Sequence, residues 1–426
     1  MSDVTLTVRD LGRDGDGVAT LPDGRAVMVF GALPGEQVRA HVVEDGPPAR
    51  AVVAAITRPA PERVTPPCPH FGPCGGCRLQ HADDAMRAAF AERRITDALA
   101  AEGLEAPLKP CHLSPPGTRR RVGLVARKQG RNRTAPVAIG YHGRASHDLV
   151  DVRRCPLLTP VLEALLPLLR KLLPPLVPPQ GRLHLHLTDA DGVVAMQVRA
   201  PRPLDARGRQ RLAAFCAQTP VSHIRWESDG ATEDVRDGSD PMIHPGGVAI
   251  TVPPGAFIQA TADGEAALID GVRAALEIAS GEPVLDFHAG LGTFTLPLSR
   301  TQPVRAVEGS TTALAALKAA AKGLSGDHYP IKTETRDLER RPSPASAFKG
   351  VTGAVFDPPR SGAPALARQL AQAGPDHIAA VSCNPASFAR DAASLVAGGY
   401  RLAWVQPVAQ FVWSPHVELV AALVRA

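Results

Sequence analysis

Between residues 283 and 397 the chain repeats one kind of unit: a short apolar run ending in a chemically distinctive residue, then a turn, then an Ala/Leu-rich stretch. The apolar runs lie in "PVLDFHAG", "PVRAVEGS", "GAVFDPPR" and "IAAVSCNP". Short, nearly continuous apolar runs bounded by Gly and Pro predict strands buried on both faces. Strands alternating with helices in this way predict a parallel sheet wound on both sides. The expected fold class is therefore α/β, with a doubly wound, Rossmann-like domain over residues 251–426. In open sheets of this type, ligands sit at the carboxyl ends of the strands. Here those ends carry Asp286, Glu308, Asp357 and Cys383.

The first strand runs into "HAGLGTF", where Gly290 and Gly292 let the backbone approach a ligand closely. A G-x-G alone is a weak signal. Glu308 strengthens it, because an acid at the end of the second strand takes the ribose hydroxyls of an adenosine cofactor in doubly wound folds. Loop and acid together predict a nucleoside-binding site. Two prolines follow Asp357 and stiffen its loop. Cys383 is placed where a nucleophile would act, and a buried structural cysteine would fit the same position.

Upstream, residues 3–57 alternate apolar and polar over short runs separated by Gly, Asp and Pro clusters, which predicts a small β-barrel over 1–58. A proline-rich linker, "RPAPERVTPPCP", leads into a central segment, 59–250. A helix is expected to begin near Asp83, and a hairpin to turn at Ala190-Asp191-Gly192. Residues 119–133 carry seven basic residues and no acid, which suits phosphate contact as well as a solvated face. The overall balance of +5 permits a nucleic-acid partner without requiring one. The most apolar stretch, 161–179, is interrupted by Glu163, Arg170, Lys171 and prolines, so no membrane span is expected. With no apolar leader after "MSDVTLTVRD", a soluble, cytoplasmic protein is expected, acting as a monomer.

"CPHFGPCGGC" places Cys68, Cys74 and Cys77 at C-x5-C-x2-C spacing. Seven cysteines in a reducing compartment do not predict disulfides. Clustered thiolates without an adjacent histidine pair suit an iron–sulfur cluster or structural zinc. The spacing differs from the paired C-x2-C hooks usual for zinc. Cys111 and Cys216 stand apart and read as ordinary.

Three segments in order, "DFHAGLGTFTLPL", "FDPPRSGA" and "SCNPASFARD", resemble the RNA 5-methyluridine methyltransferase family, which uses S-adenosyl-L-methionine. "FIQATA", "WSPHVEL" and the cysteine loop resemble the same family, and the loop resembles its 23S ribosomal-RNA branch. The resemblance implies that the barrel is a TRAM domain, an OB-like RNA-binding module. It implies a [4Fe-4S] cluster on Cys68, Cys74 and Cys77, with Cys155 of "DVRRCPLL" as the fourth ligand. It implies cofactor contacts from Gln259, Phe287, Gly290, Thr293, Glu308, Asp337 and Asp357. Cys383 is implied as nucleophile and Glu418 as general base. His288 stands where the family commonly has cysteine, and Thr293 and Asp337 where asparagine is common.

The chemistry so implied is covalent. A thiolate added to carbon 6 of uracil makes carbon 5 nucleophilic, carbon 5 takes the methyl group, and a base then removes its proton. A free thiol with pKa ~8.5 is only about 3% ionised at pH 7, so positive potential from Arg360 or Arg390 is expected. The target uridine must leave its stack to react. Two other readings use the same residues differently: an inactive RNA-binding module, and a cytosine-C5 methyltransferase, whose nucleophile usually follows proline. The barrel and the cysteine loop together point to 23S ribosomal RNA, with transfer RNA as the alternative.

Overall fold

The computed structural model describes residues 3–130, 132, 135–324 and 326–426. Arg131 and Arg133 of the basic run lie outside the described residues.

The N-terminal barrel forms because its first strand is split. Asp3–Thr7 pairs with Gln37–Glu44 at one end of a six-stranded sheet, and Asp10–Leu11 pairs with Gly17–Thr20 at the other. Only Val8 and Arg9 separate the two pieces, and the Arg9 amide donates to the Val18 carbonyl at 2.8 Å. The sheet thus closes on itself, around Leu6, Val8, Val27, Val29 and Val38. Closure removes the exposed edges an open sheet would carry.

The central region is a seven-stranded sheet. Its strands Arg182–Ala190 and Val193–Arg199 form the hairpin expected at Asp191-Gly192. The apolar stretch after residue 159 is the helix Pro160–Leu172, capped by Thr159, with Leu162, Leu165, Leu166 and Leu169 buried against the sheet core. No helix among the described residues is long and apolar enough to cross a membrane.

The C-terminal sheet has eight strands. Ile331–Thr335, Val304–Glu308, Val284–Phe287, Gly353–Phe356 and His377–Ser382 run parallel, in that spatial order. Strand order reverses between Val284–Phe287 and Gly353–Phe356, which opens the ligand crevice of a doubly wound sheet. Glu418–Arg425 joins antiparallel beside His377–Ser382, bringing the chain's C-terminal segment next to Cys383.

The helix expected near Asp83 runs from Asp84 to Ala101, and the Asp83 carboxylate accepts the Met86 amide at 2.8 Å. Its buried face, Ala91, Ile95 and Leu99, shares a core with Leu402 and Val405 of the C-terminal sheet. The strand His112–Leu113 extends that sheet at its edge. Residues 84–113 therefore pack with the C-terminal domain although they precede the central sheet. Periodicity identifies a helix and its apolar face, and leaves open which sheet receives that face.

Candidate active site

A cavity of about 1060 Å³ opens at the carboxyl ends of the parallel strands, facing the central region. Gly290, Glu308, Asp357, Cys383 and Glu418 line it. Four strand ends and the C-terminal segment, distant in sequence, thus meet around one space.

Two carboxylates are joined there through two amides. The Gln259 side-chain amide donates to Asp357 Oδ2 at 3.1 Å. Gln410 Nε2 donates to Gln259 Oε1 at 2.7 Å and to Glu418 Oε2 at 3.0 Å. Gln410 Oε1 accepts the Ala260 amide at 2.8 Å, which fixes the orientation of the amide. Glu418, Gln259 and Gln410 are all buried. Burial raises both acids above the ordinary carboxylate range, and the charge of Asp357 raises Glu418 further. A carboxylate raised in this way can take up a proton near neutral pH.

Cys383 ends its strand half-buried. Burial, then the charges of Glu418 and Asp357, push its thiol up to about 11, while Arg360 acts in the opposite direction. The expected positive potential therefore comes from Arg360, with Arg121 also interacting with the thiol, and is outweighed. Arg390 turns its guanidinium onto the Ser361 carbonyl at 3.2 Å and takes no part.

The loop after Val284–Phe287 is held by the acid of the next strand. Glu308 accepts the Gly290 amide at 2.9 Å through one oxygen and the Ser310 amide at 2.7 Å through the other. A carboxylate has about four acceptor positions, so each oxygen keeps one free for a hydroxyl. Gly290 has φ +55°, and His288 has φ +58°, a conformation that side chains other than glycine rarely adopt. Asp286 is fully buried and accepts the Thr295 hydroxyl at 2.6 Å.

Four expected cofactor residues do not line the cavity; one of them, Gln259, is buried and reaches it only through its hydrogen bond to Asp357. The Phe287 side chain is fully buried in the sheet core, 6.1 Å from the Phe348 ring, because the pleat turns it away from the crevice. Thr293 lies outside the cavity wall, and the adjoining Thr295 makes the polar contact. Asp337 is exposed and caps a turn, accepting the Glu339 and Arg340 amides, each at 3.1 Å.

Cys68, Cys74, Cys77 and Cys155 line one wall of the same cavity, so the fold does bring them together. Cys77 and Cys155 are buried in the central core. Burial first, then the charges of the other three, push the Cys77 thiol up to about 12. Among the described residues, no group of three or more His, Cys, Asp or Glu side chains is arranged to hold a metal ion. A single tetrahedral zinc needs its sulfurs about 2.3 Å from one point. Four thiols lining one cavity are donors of the kind that an iron–sulfur cluster or a structural zinc takes.

Reading the sequence alone missed three contributors. Gln410 carries no motif, and only the pairing of Tyr400–Ala409 with Glu418–Arg425 brings it to Glu418. Arg121, within the basic run, is turned into the cavity with its guanidinium 4.1 Å from the centroid of the exposed Phe257 ring. Burial, and then the neighbouring Arg119, lower its affinity for protons. Arg120 forms a buried ion pair with Glu265 at 2.7 Å and donates to the Gln259 carbonyl at 3.1 Å. The alternation of the strand Arg121–Lys128 was the available signal, since it sorts a basic run into two faces.

Residues 2–47 match the TRAM domain family. Over its whole length the chain is similar to an uncharacterized RNA methyltransferase of Caulobacter vibrioides, 39% identical, covering 99% of each chain. It is also similar to the 23S rRNA (uracil(1939)-C(5))-methyltransferase of Pectobacterium atrosepticum, 32% identical, covering 98% of this chain and 93% of that protein. The chain belongs to the RNA uracil-C5 methyltransferase family. The methyl donor of this enzyme is S-adenosylmethionine, which suits a cavity bounded by the Glu308 loop. The fold agrees throughout with the Pyrococcus abyssi tRNA (uracil-54, C5)-methyltransferase solved with S-adenosyl-L-homocysteine, with a TM-score of 0.73, 23% identity and 99% of each chain covered.

Proposed function

We propose that this methyltransferase modifies carbon 5 of one uridine in 23S ribosomal RNA through a covalent adduct on Cys383. The observation that carries the reading is the meeting of a half-buried thiol and a desolvated carboxylate, Glu418, in one cavity with the Glu308 loop. S-adenosylmethionine supplies an electrophilic methyl group. Glu308 and the Gly290 backbone would hold its nucleoside, with Asp357 near the reacting end. The Cys383 sulfur adds to carbon 6 of uracil, and the electron pair of the 5,6 double bond passes to carbon 5 and its adjoining carbonyl. Once carbon 5 carries the methyl group, Glu418 accepts its proton. The carbon–sulfur bond then breaks, restoring the double bond and the thiolate.

The thiol must ionise to act, and it is raised in the free protein. Arg121 and Arg360 are the cations that face it. Cys68, Cys74, Cys77 and Cys155 are read as ligands of a [4Fe-4S] cluster. Their common cavity wall supports this.

RNA containing 5-fluorouridine tests the adduct, since fluorine cannot leave as a proton. Wild type should form a denaturation-resistant complex, and Cys383→Ala should form none while still binding S-adenosylmethionine. Methyl incorporation into 23S RNA and bulk transfer RNA from a strain lacking the protein tests the substrate. Label in transfer RNA alone would refute the ribosomal assignment.

A further inference from the structure

A second cavity, of about 200 Å³, adjoins the active site. Cys383, Arg360 and His416 line both spaces, so the two meet at the thiol. The smaller one is walled by three parts of the chain: Arg13 and Asp14 of the barrel, Arg94 of the helix Asp84–Ala101, and residues around Cys383. Its lining residues include three arginines, Arg13, Arg94 and Arg360, and one acid, Asp14, with Asp97 also acting on Arg94. Arg94 donates to the Arg13 carbonyl, and Arg360 contacts His416 Nδ1 at 3.3 Å. Among the described residues, neither contact neutralises a charge. The imidazole of His416 is held below its ordinary pKa by burial, then by Arg360 and Arg94. The lining therefore carries more positive than negative side chains, with three arginines to one acid.

The chemistry of the adduct says what meets this charge, and the step rests on the Cys383 reading above. Carbon 6, the atom attacked, is bonded to N1, and N1 carries the ribose. The sulfur meets carbon 6 across the ring face, while the ribose on the adjacent N1 leaves in the ring plane, so the sugar emerges close beside the sulfur. The smaller cavity is a space that meets the active site at that sulfur. The geometry points to a phosphodiester subsite in which Arg13, Arg94 and Arg360 grip the backbone next to the flipped uridine. Backbone contacts fix register and orientation without reading sequence. The barrel then acts as one jaw of the active site, in addition to any grip it has on RNA elsewhere.

Binding of 23S RNA and of bulk transfer RNA, both from a strain lacking the protein, tests the subsite in a Cys383→Ala background. Arg13→Gln and Arg94→Gln should each weaken binding of whichever unmodified RNA the parent enzyme methylates, roughly 5–30-fold. Each should also lower the slope of log K against log salt by about 1, as expected for one lost phosphate contact. Arg94→Lys should recover most of both, and S-adenosylmethionine affinity should not change. Arg207→Gln, on the exposed face of the helix Ala206–Gln218, serves as the charge control and should leave the slope at the wild-type value. Wild-type affinity and slope in both glutamine variants, with normal methylation by the parent enzyme, would overturn the subsite alone. Reduced slopes with no methylation of either RNA would count against the uridine chemistry and leave the subsite standing.

Discussion

Replacing Glu418 by glutamine separates two consequences of one buried carboxylate. The Gln410 amide that donates to Oε2 at 3.0 Å finds an equivalent acceptor in the new side chain, so the hydrogen-bonded bridge to Asp357 persists. What disappears is the charge. A general base contributes roughly 10²–10⁴-fold, so turnover should fall by that factor, about 3–5 kcal/mol on the barrier. The loss falls after methyl transfer, so methylated RNA should accumulate bound to Cys383. Stability should move the other way. The folded state holds the Glu418 proton more tightly than the unfolded chain does. Stability of the wild type therefore falls as pH rises from the ordinary carboxylate pKa towards the raised one, and levels off beyond it. Glu418→Gln removes that penalty, giving a gain of roughly 1–4 kcal/mol above the window and none below it. A third readout needs no RNA. The Glu418 charge is one of the groups that raise the Cys383 thiol, so alkylation of Cys383 by iodoacetamide at pH 8–9 should be faster in the variant. Thermal melts at pH 4 and pH 8.5, alkylation rates, and denaturing gels of the RNA complex measure the three effects. Full turnover by Glu418→Gln, or a variant less stable at pH 8.5, would refute the reasoning.

Other outcomes follow from the same geometry. Wild-type kcat/KM should climb with pH between about 6 and 9, because Glu418 and Cys383 are both raised and both act deprotonated; a flat profile in single-turnover assays would contradict this. Glu308→Ala releases the Gly290 and Ser310 amides and should weaken S-adenosylmethionine binding by calorimetry roughly 10–100-fold, matching one or two charge-assisted hydrogen bonds. Arg120→Ala strands Glu265 in the core and should cost about 3–5 kcal/mol in denaturant unfolding. Protein purified without oxygen should be brown, and Cys155→Ser should bleach it; a colourless preparation holding one zinc would favour the mononuclear site.

Much of the site was legible because strand ends are local features. Asp286, Glu308, Asp357 and Cys383 each close an apolar run, and the parallel order of those runs brings them to one edge. Asp83 and the Asp191-Gly192 turn were readable for a similar reason, since caps and tight turns need particular residues at particular offsets. Contributions that depend on which surfaces meet were not legible. Nothing local distinguishes Gln410 from any other polar residue in a strand. Arg121 and Arg120 share a basic run with residues that serve phosphate equally well, and only burial against Phe257 and Glu265 separates their roles. Asp337 failed as a cavity residue for the opposite reason. The resemblance implied a cofactor contact for it, but the backbone of its own turn captures the carboxylate.

The link between the cysteine loop and the base runs through Trp413. Its backbone is left-handed, φ +57°, a conformation costing about 1–3 kcal/mol that persists only where the surroundings hold it. The holding groups are the amides of Arg78 and Leu79, which donate to the Trp413 carbonyl at 2.8 and 3.0 Å. These residues directly follow Cys77, and the Trp413 side chain shares a core with Cys77 and Cys155. Gln410 and Glu418 lie on either side of this anchored residue. A cysteine loop that loses its order therefore releases the segment that sets the base, while the Glu308 loop, carried by a different part of the sheet, is untouched. Damage to the four-cysteine wall should accordingly retard proton removal and prolong the RNA adduct, with S-adenosylmethionine affinity preserved. A fall in cofactor affinity that matched the fall in turnover would show that the wall acts through the crevice as a whole and not through Trp413.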